Sequence, residues 1–325
     1  MWLSSLLPPP PPSGRMAYPL RAIRPFFPDI PSGPASAPMQ NPVAITRAYA
    51  GPPGRQIHYR RAVPPVAAMV RRPLVLFHQN PASSFEYEGV MRDMGRDRLV
   101  IAPDTPGYGQ SDGPDAPPDM AGYAALLLAA LPEMGIDAAS GCDLYGFHTG
   151  ALIAVEAALA RPDLVRHLAL TGLPMRDAAE RAERLRAAHA TPPLDEAGES
   201  ILGTARALWD YVVTARAPAV PLRRAALNWR DKMGALDRLH WAYFGVWSYD
   251  YTARLPQLTC PCLLVQPDED IRAQSLAAAA LIPDHRIAEL PQWNRDIFDL
   301  PDAITAIAAQ LRGFFDDPSA SRSFS

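Results

Sequence analysis

The sequence predicts an α/β protein: a mostly parallel, doubly wound sheet covered by helices on both faces, with a helical cap inserted between two core strands. Three observations predict it. From residue 43 onward, short β-branched or Leu-rich runs alternate with longer Ala-rich stretches, the pattern of a parallel sheet and its covering helices. Between about Pro174 and Leu255 the alternation stops, and a mostly helical, aromatic-studded region follows with no strand of its own. The 325 residues are 48% hydrophobic and 20% charged, enough to bury one large core or two modest ones without staples.

Taken in order, the first 42 residues hold twelve prolines, including the run Pro8 to Pro12, and favour extended polyproline conformation over core packing. This segment is expected to be disordered, with Met16 or Met39 as alternative starts. MWLSSLL lacks the basic start of a secretory signal, and its apolar stretch is too short. Strands are expected at Gln56 to Arg60, Leu74 to Phe77, Leu99 to Ala102, Asp143 to Tyr145, Leu168 to Leu170, Leu263 to Val265 and Arg286 to Leu290. Helices are expected at Phe85 to Met94, Ala121 to Met134, Ala151 to Arg161, Arg272 to Leu281 and Pro301 to Phe314. The domain reading is a core of residues 43–173 and 256–316, a helical cap over 174–255, and a disordered tail over 317–325.

Composition narrows the function classes. A net charge of -3 and a pI near 6.2 leave no field to hold a polyanion, so nucleic acid is not an expected partner. The pairs Arg71-Arg72 and Arg223-Arg224 read as solvated faces. Three cysteines, with Cys260 and Cys262 only two apart, fit neither a disulfide framework nor a zinc spacing, which points to a reducing cytoplasm and to no metal site. No apolar run approaches the roughly 20 residues of a membrane span. The Arg excess over a single Lys, Lys232, suggests a GC-rich bacterial genome. Neither a cofactor motif nor a sign of oligomeric state is present.

Four motifs carry the chemistry. Gly146-Phe147-His148-Thr149-Gly150 lies between a strand and a helix, the context that a G-x-S-x-G nucleophile elbow requires. The central residue of such a turn sits at positive φ, at a cost of about 1–2 kcal/mol for most residues, and His is among the non-glycine types enriched there. The bland alternative is a hydrogen-bonded core histidine in an inert turn. His78-Gln79-Asn80-Pro81 opens a second loop, for which the alternative is a turn with Ser83 or Ser84 capping the next helix. Asp104 to Asp112, DTPGYGQSD, is a glycine-punctuated loop of structural character, and Ser111 is not read as a nucleophile. The acidic stretch Pro267-Asp268-Glu269-Asp270 follows the strand CLLV.

FHQNPASS at 77–84, APDTPGYGQSD at 102–112, GFHTG at 146–150 and PCLLVQPDED at 261–270 together resemble the α/β-hydrolase fold family in order and spacing over about residues 43–316. The resemblance implies an oxyanion hole made by the backbone N–H of Gln79 or Asn80 and that of Thr149. HQNP is also similar to the HGNP of haloalkane dehalogenases, whose Asn helps hold a halide and would be matched by Asn80, although their Asp nucleophile is absent. Alignment by Pro261 places Asp270 at the family's catalytic acid, with Asp268 as second choice. The family's Leu-Pro-x-x-Gly-His turn reads here Leu290-Pro291-Gln292-Trp293-Asn294-Arg295, so Asn294 or Arg295 stands where the base belongs. An imidazole at the elbow could fill part of that space and meet Asp270, forming a base near neutral pH. Alternatively Arg295 pairs with Asp270 and the site only binds. Trp209, Trp241 and Trp247, among other aromatics of the insertion, suggest an apolar pocket for a small apolar substrate or ligand. The functional expectation is an enzyme acting on a small apolar carbonyl compound (ester, lactone or diketone) with His148 as base or nucleophile. The alternatives are a ligand-binding pseudoenzyme and a cofactor-free lyase or decarboxylase.

Overall fold

The computed structural model describes residues 43–65 and 68–317. The Pro-rich segment 1–42 and, Asp317 apart, the tail lie outside them. Eight strands form one sheet: β1 (Ile45–Ala50), β2 (Ile57–Ala62), β3 (Leu74–Phe77), β4 (Val100–Pro103), β5 (Cys142–Phe147), β6 (Val165–Thr171), β7 (Cys262–Pro267) and β8 (His285–Leu290). Their spatial order is β1-β2-β4-β3-β5-β6-β7-β8. β2 pairs antiparallel with both β1 and β4, and every pairing from β4 to β8 is parallel.

The parallel strands are buried on both faces, which explains why β3 reads LVLF with no polar alternation. Leu74 and Leu76 point to one core and Val75 and Phe77 to the other. On the first face lie α1 (Glu88–Met94) and α10 (Pro301–Phe315), contributing Val90, Met91, Ile307 and Leu311. The opposite core takes α2 (Met120–Ala130), α3 (Thr149–Ala160) and α9 (Arg272–Ala279). The sheet is therefore doubly wound. α3 stops one residue short of Arg161, whose successor Pro162 disfavours helical backbone before it.

Three expectations need correction in detail. The helix expected over Ala121 to Met134 ends as α2 at Ala130 and continues as a 3-10 turn, Leu131–Met134. β1 was not among the predicted strands: its ITRAYA is a half-exposed edge strand whose polar positions hide the apolar period. The helix expected over Phe85 to Met94 divides into a 3-10 turn, Ser84–Tyr87, and α1, with the Ser83 hydroxyl accepting from the Phe85 N–H at 3.2 Å.

Between β6 and β7 lie α4 (Ala178–His189), α5 (Glu199–Trp209), α6 (Leu222–Met233), α7 (Trp241–Ser248) and α8 (Tyr251–Arg254), with a π-helical turn over Asp210–Thr214. α4 packs on α7, and α7 touches α2 and α3. The charged face of α8 is tied to the core by Arg254, whose guanidinium donates to both oxygens of the buried Glu156 on α3, at 2.9 and 2.6 Å. Among the described residues no helix is long and apolar enough to cross a membrane.

Candidate active site

The turn between β5 and α3 is built by exclusion of side chains. A Cβ on Gly146 would lie 2.3 Å from the Gly150 carbonyl oxygen, and one on Gly150 would lie 2.0 Å from the Phe77 carbonyl oxygen. Only glycine fits either position. Between them His148 takes φ 51° and ψ -113°, and its N–H donates to the Thr171 carbonyl at 2.8 Å. Among the described residues only His148 and Leu236 are non-glycine residues at positive φ. A backbone of this kind persists where its surroundings over-determine it, which is frequent at functional sites.

The turn aims the imidazole at the loop after β7. His148 Nε2 lies 2.6 Å from Glu269 Oε2, and the Glu269 side chain is only 1% exposed. The partner is thus Glu269, one residue before the Asp270 that alignment by Pro261 indicated. β7 ends at Pro267, and the Asp268 N–H is held by the Trp293 carbonyl at 2.8 Å. Asp268 and Asp270 are exposed, whereas the intervening Glu269 turns inward. The pair also needs space from a third element. Gly172, just past β6 at φ +73°, lies so close that a Cβ there would be 2.1 Å from His148 Cδ2 and 2.9 Å from Glu269 Oε1.

Since a carboxylate only accepts, Nε2–H is the donor in this contact. The Phe147 ring stacks on the imidazole at 4.0 Å between centroids.

The loop after β3 lies against the start of α3, where Gly150 meets the Phe77 and His78 carbonyls. Several of its backbone polar groups are held by specific partners. The Gln79 N–H donates to Glu86 Oε1 at 3.0 Å, and the Gln79 side-chain amide donates to Glu86 Oε2 at 2.9 Å, so Gln79 is not the open donor of the two that the resemblance implied. His78 accepts the Thr105 N–H on Nε2 at 2.8 Å, which leaves the proton on Nδ1 to hold the Gln79 carbonyl at 2.7 Å. The Asn80 carbonyl accepts from the Tyr243 hydroxyl at 3.2 Å, and the Pro81 carbonyl from Lys232 Nζ at 3.1 Å. Among the described residues the Asn80 N–H has no acceptor. Asn80 is 5% exposed, and both polar atoms of its side chain are likewise buried without a partner. Thr149 opens α3, ahead of the first intrahelical acceptor for its N–H.

The other predicted residues lie elsewhere. The Arg295 guanidinium donates to the Tyr211 and Ala215 carbonyls at 2.7 and 3.1 Å and lies 3.6 Å over the Tyr211 ring; no ion pair with Asp270 forms among the described residues. Asn294 Oδ1 accepts the Asp296 N–H at 2.9 Å, a turn-stabilising contact. Trp209 packs edge-on against Trp229, Trp241 lies beneath the Arg238 guanidinium, and Trp247 stacks with Tyr243. Each of the three helps pack the inserted helices, and Trp247 reaches the Asn80 loop through Tyr243. Ser111 donates to the Asp104 carbonyl and accepts from the His58 N–H, a structural role.

Sequence reasoning missed Glu269, Gly172, Glu86 and Lys232. Glu269 was within the quoted PDED, and Lys232 was conspicuous as the chain's single lysine. Burial pushes the Glu86 carboxyl above its ordinary range, partly opposed by the positive charge of Lys232; burial pushes the Lys232 ammonium down against the pull of Glu86, Asp231 and Asp299. No group of three or more His, Cys, Asp or Glu side chains among the described residues could hold a metal ion.

A family model described as the alpha/beta hydrolase fold matches residues 72–194. No curated protein matches the chain in sequence. Among solved structures it is similar to the enol-lactonase from Burkholderia xenovorans LB400, at 18% identity and a TM-score of 0.66, over 83% of this chain and 100% of that one. It is also similar to a thermophilic esterase from Thermogutta terrifontis, at 20% identity and a TM-score of 0.64, over 82% and 98% of the two chains. An esterase from Exiguobacterium antarcticum gives 15% identity and a TM-score of 0.67, over 84% and 100%. At these identities the likeness establishes the fold.

Proposed function

Since this chain has the α/β-hydrolase fold, we propose that it is a hydrolytic enzyme acting on a small apolar carbonyl compound, an ester or lactone before a diketone, with His148 as its general base. The observation that carries the reading is the 2.6 Å contact between His148 Nε2 and the buried Glu269 carboxylate on an elbow backbone. A carboxylate there fixes the tautomer and stabilises the imidazolium, so that Nδ1 accepts a proton.

In this mechanism Nδ1 takes a proton from water as the hydroxide oxygen bonds to the carbonyl carbon. The carbonyl electron pair moves onto its oxygen, which the N–H groups of Asn80 and Thr149 receive. Collapse of that intermediate breaks the bond to the leaving alkoxide, and the imidazolium returns its proton there. Asn80 suits the first donor because the Gln79 N–H is taken by Glu86 and the carbonyls of Gln79, Asn80 and Pro81 are each held by a donor. The similarity to an enol-lactonase and to esterases favours esters and lactones within the carbonyl class.

A panel of activated esters, lactones and 1,3-diketones tests the reading against wild type and His148→Ala. Loss of a general base is expected to lower turnover by roughly 10²–10⁴-fold. Equal rates in the two proteins, or no turnover with any member while the compounds still bind, would remove the catalytic assignment and leave a binding protein.

A further inference from the structure

The inserted helices reach the Asn80 loop through three hydrogen bonds on consecutive stretches of it. Tyr243 on α7 donates to the Asn80 carbonyl at 3.2 Å, Lys232 on α6 donates to the Pro81 carbonyl at 3.1 Å, and Asp231 accepts from the Ser83 hydroxyl at 2.6 Å. Arg224, one face further along α6, lies 4.5 Å over the Phe85 ring. The loop's other side is held from the core, by Glu86 on the Gln79 N–H and by His78 on the Gln79 carbonyl. Residues 79–83 are thus gripped from both sides, while the Asn80 N–H has no acceptor among the described residues.

We propose that Lys232 is a positioning residue for the reaction: reaching from α6 onto the Pro81 carbonyl, it fixes the direction in which the Asn80 N–H points. This rests on the reading of Asn80 as the donor to a developing oxyanion. The ammonium is the right group for the task. A backbone carbonyl buried under a helix needs a donor, and a charged one binds it more strongly than a neutral one. Its charge is balanced by the nearby carboxylates of Glu86, Asp231 and Asp299. Glu86 in turn takes the Gln79 N–H, so one electrostatic group touches the loop on both sides of Asn80. A peptide plane held only at its carbonyl end by His78 could still swing about the Asn80 Cα; the bonds to the Asn80 and Pro81 carbonyls remove that freedom. The inserted helices therefore complete the geometry of the site, beyond covering it.

The test compares wild type, Lys232→Met and Lys232→Arg by three readouts. On the best ester or lactone of the panel, Lys232→Met is expected to lower kcat by about 10-fold or more with KM within about 2-fold, because a misplaced donor is felt in the transition state more than in binding. Lys232→Arg, which keeps a donor, is expected to recover most of that loss. Amide exchange at Gln79, followed by mass spectrometry or NMR, is expected to rise in Lys232→Met and not in Lys232→Arg, with β3 and β5 unchanged. An unaltered kcat in Lys232→Met, a parallel rise in KM that accounts for the whole effect, or an unaltered Gln79 exchange rate each overturns the proposal. If wild type turns over nothing, the catalytic reading has failed by itself, and the exchange readout still decides whether Lys232 holds the loop.

Discussion

Gly172→Ala probes the site without touching either member of the His–Glu pair. The new Cβ would sit 2.1 Å from His148 Cδ2, 2.5 Å from Nε2 and 2.9 Å from Glu269 Oε1, so the imidazole must retreat by more than an ångström to reach ordinary van der Waals separation. Alanine at φ +73° adds backbone strain of about 1–2 kcal/mol. Overpacking of a filled site adds about 1–3 kcal/mol, and the stiffer unfolded chain returns about 0.4–1 kcal/mol. The net is about 3 kcal/mol, or roughly 6–12 °C in melting temperature for a large domain. Displacing a catalytic group by an ångström is expected to cost roughly 10²-fold in turnover. Gly54→Ala is the control: it has φ +79° but nothing within 4 Å of the added Cβ, so it carries the strain alone and should leave turnover unchanged. Thermal melts and ester kinetics on the three proteins decide the matter. If Gly172→Ala melts with Gly54→Ala and turns over within about 2-fold of wild type, the pair is not held in the arrangement described.

Two further outcomes follow from the same geometry. Glu269→Gln should leave the fold intact and lower turnover by orders of magnitude, since the imidazole loses its charged partner, whereas the exposed Asp270→Asn should change turnover by less than about 2-fold; equal effects in the two would return the role to Asp270. At the base of the glycine-punctuated loop, Asp104 is held at about 2, below the ordinary 3.8: burial opposes its ionisation, but the hydrogen bond from His58, the electrostatic attraction of the His78 and His58 rings, and the bond from Ser84 outweigh burial. The depressed value means a contribution of about 2 kcal/mol that is present above pH about 4 and fades as pH falls toward 2. The denaturant-midpoint gap between wild type and Asp104→Asn should narrow over that window, and a gap independent of pH would contradict the assignment.

The parts of this molecule legible in sequence are those governed by local pattern. The buried strands announced themselves as short apolar runs, and the elbow did so through two glycines whose missing side chains the turn requires. β1 escaped because an edge strand half open to solvent need not be apolar. The loop after β7 escaped for another reason: beyond Pro267 no periodicity fixes which of three consecutive acidic residues turns inward, and the choice is made by the Asp268 N–H bonding to Trp293. Lys232 and Asp231 were invisible as site residues because their partners, Pro81 and Ser83, are 151 and 148 residues away in sequence. Contacts of that range are set by how the inserted helices dock, which no local pattern in α6 encodes.

If His148 is the base, as proposed, an imidazole at the elbow instead of on the loop after β8 changes what each neighbouring position must supply. A base on that loop reaches toward the elbow and meets an acid on the way; an imidazole that starts at the elbow already occupies the centre of the site, so the acid must come to it. Glutamate has one methylene more than aspartate, and it is Glu269 that makes the contact while Asp268 and Asp270 remain at the surface. The ring and the longer carboxylate together need the volume that Gly172 leaves open. The loop after β8, relieved of the base, is free for structural work: Trp293 anchors the acid's loop through its carbonyl, Asn294 closes a turn, and Arg295 fastens the loop to the π-helical turn at Tyr211. On the proposed reading, His148, Glu269, Gly172 and the residues at 293–295 follow from one another. A histidine placed by chance in an inert elbow would account for the first of them and leave the inward glutamate, the open glycine and the diverted loop without a common cause.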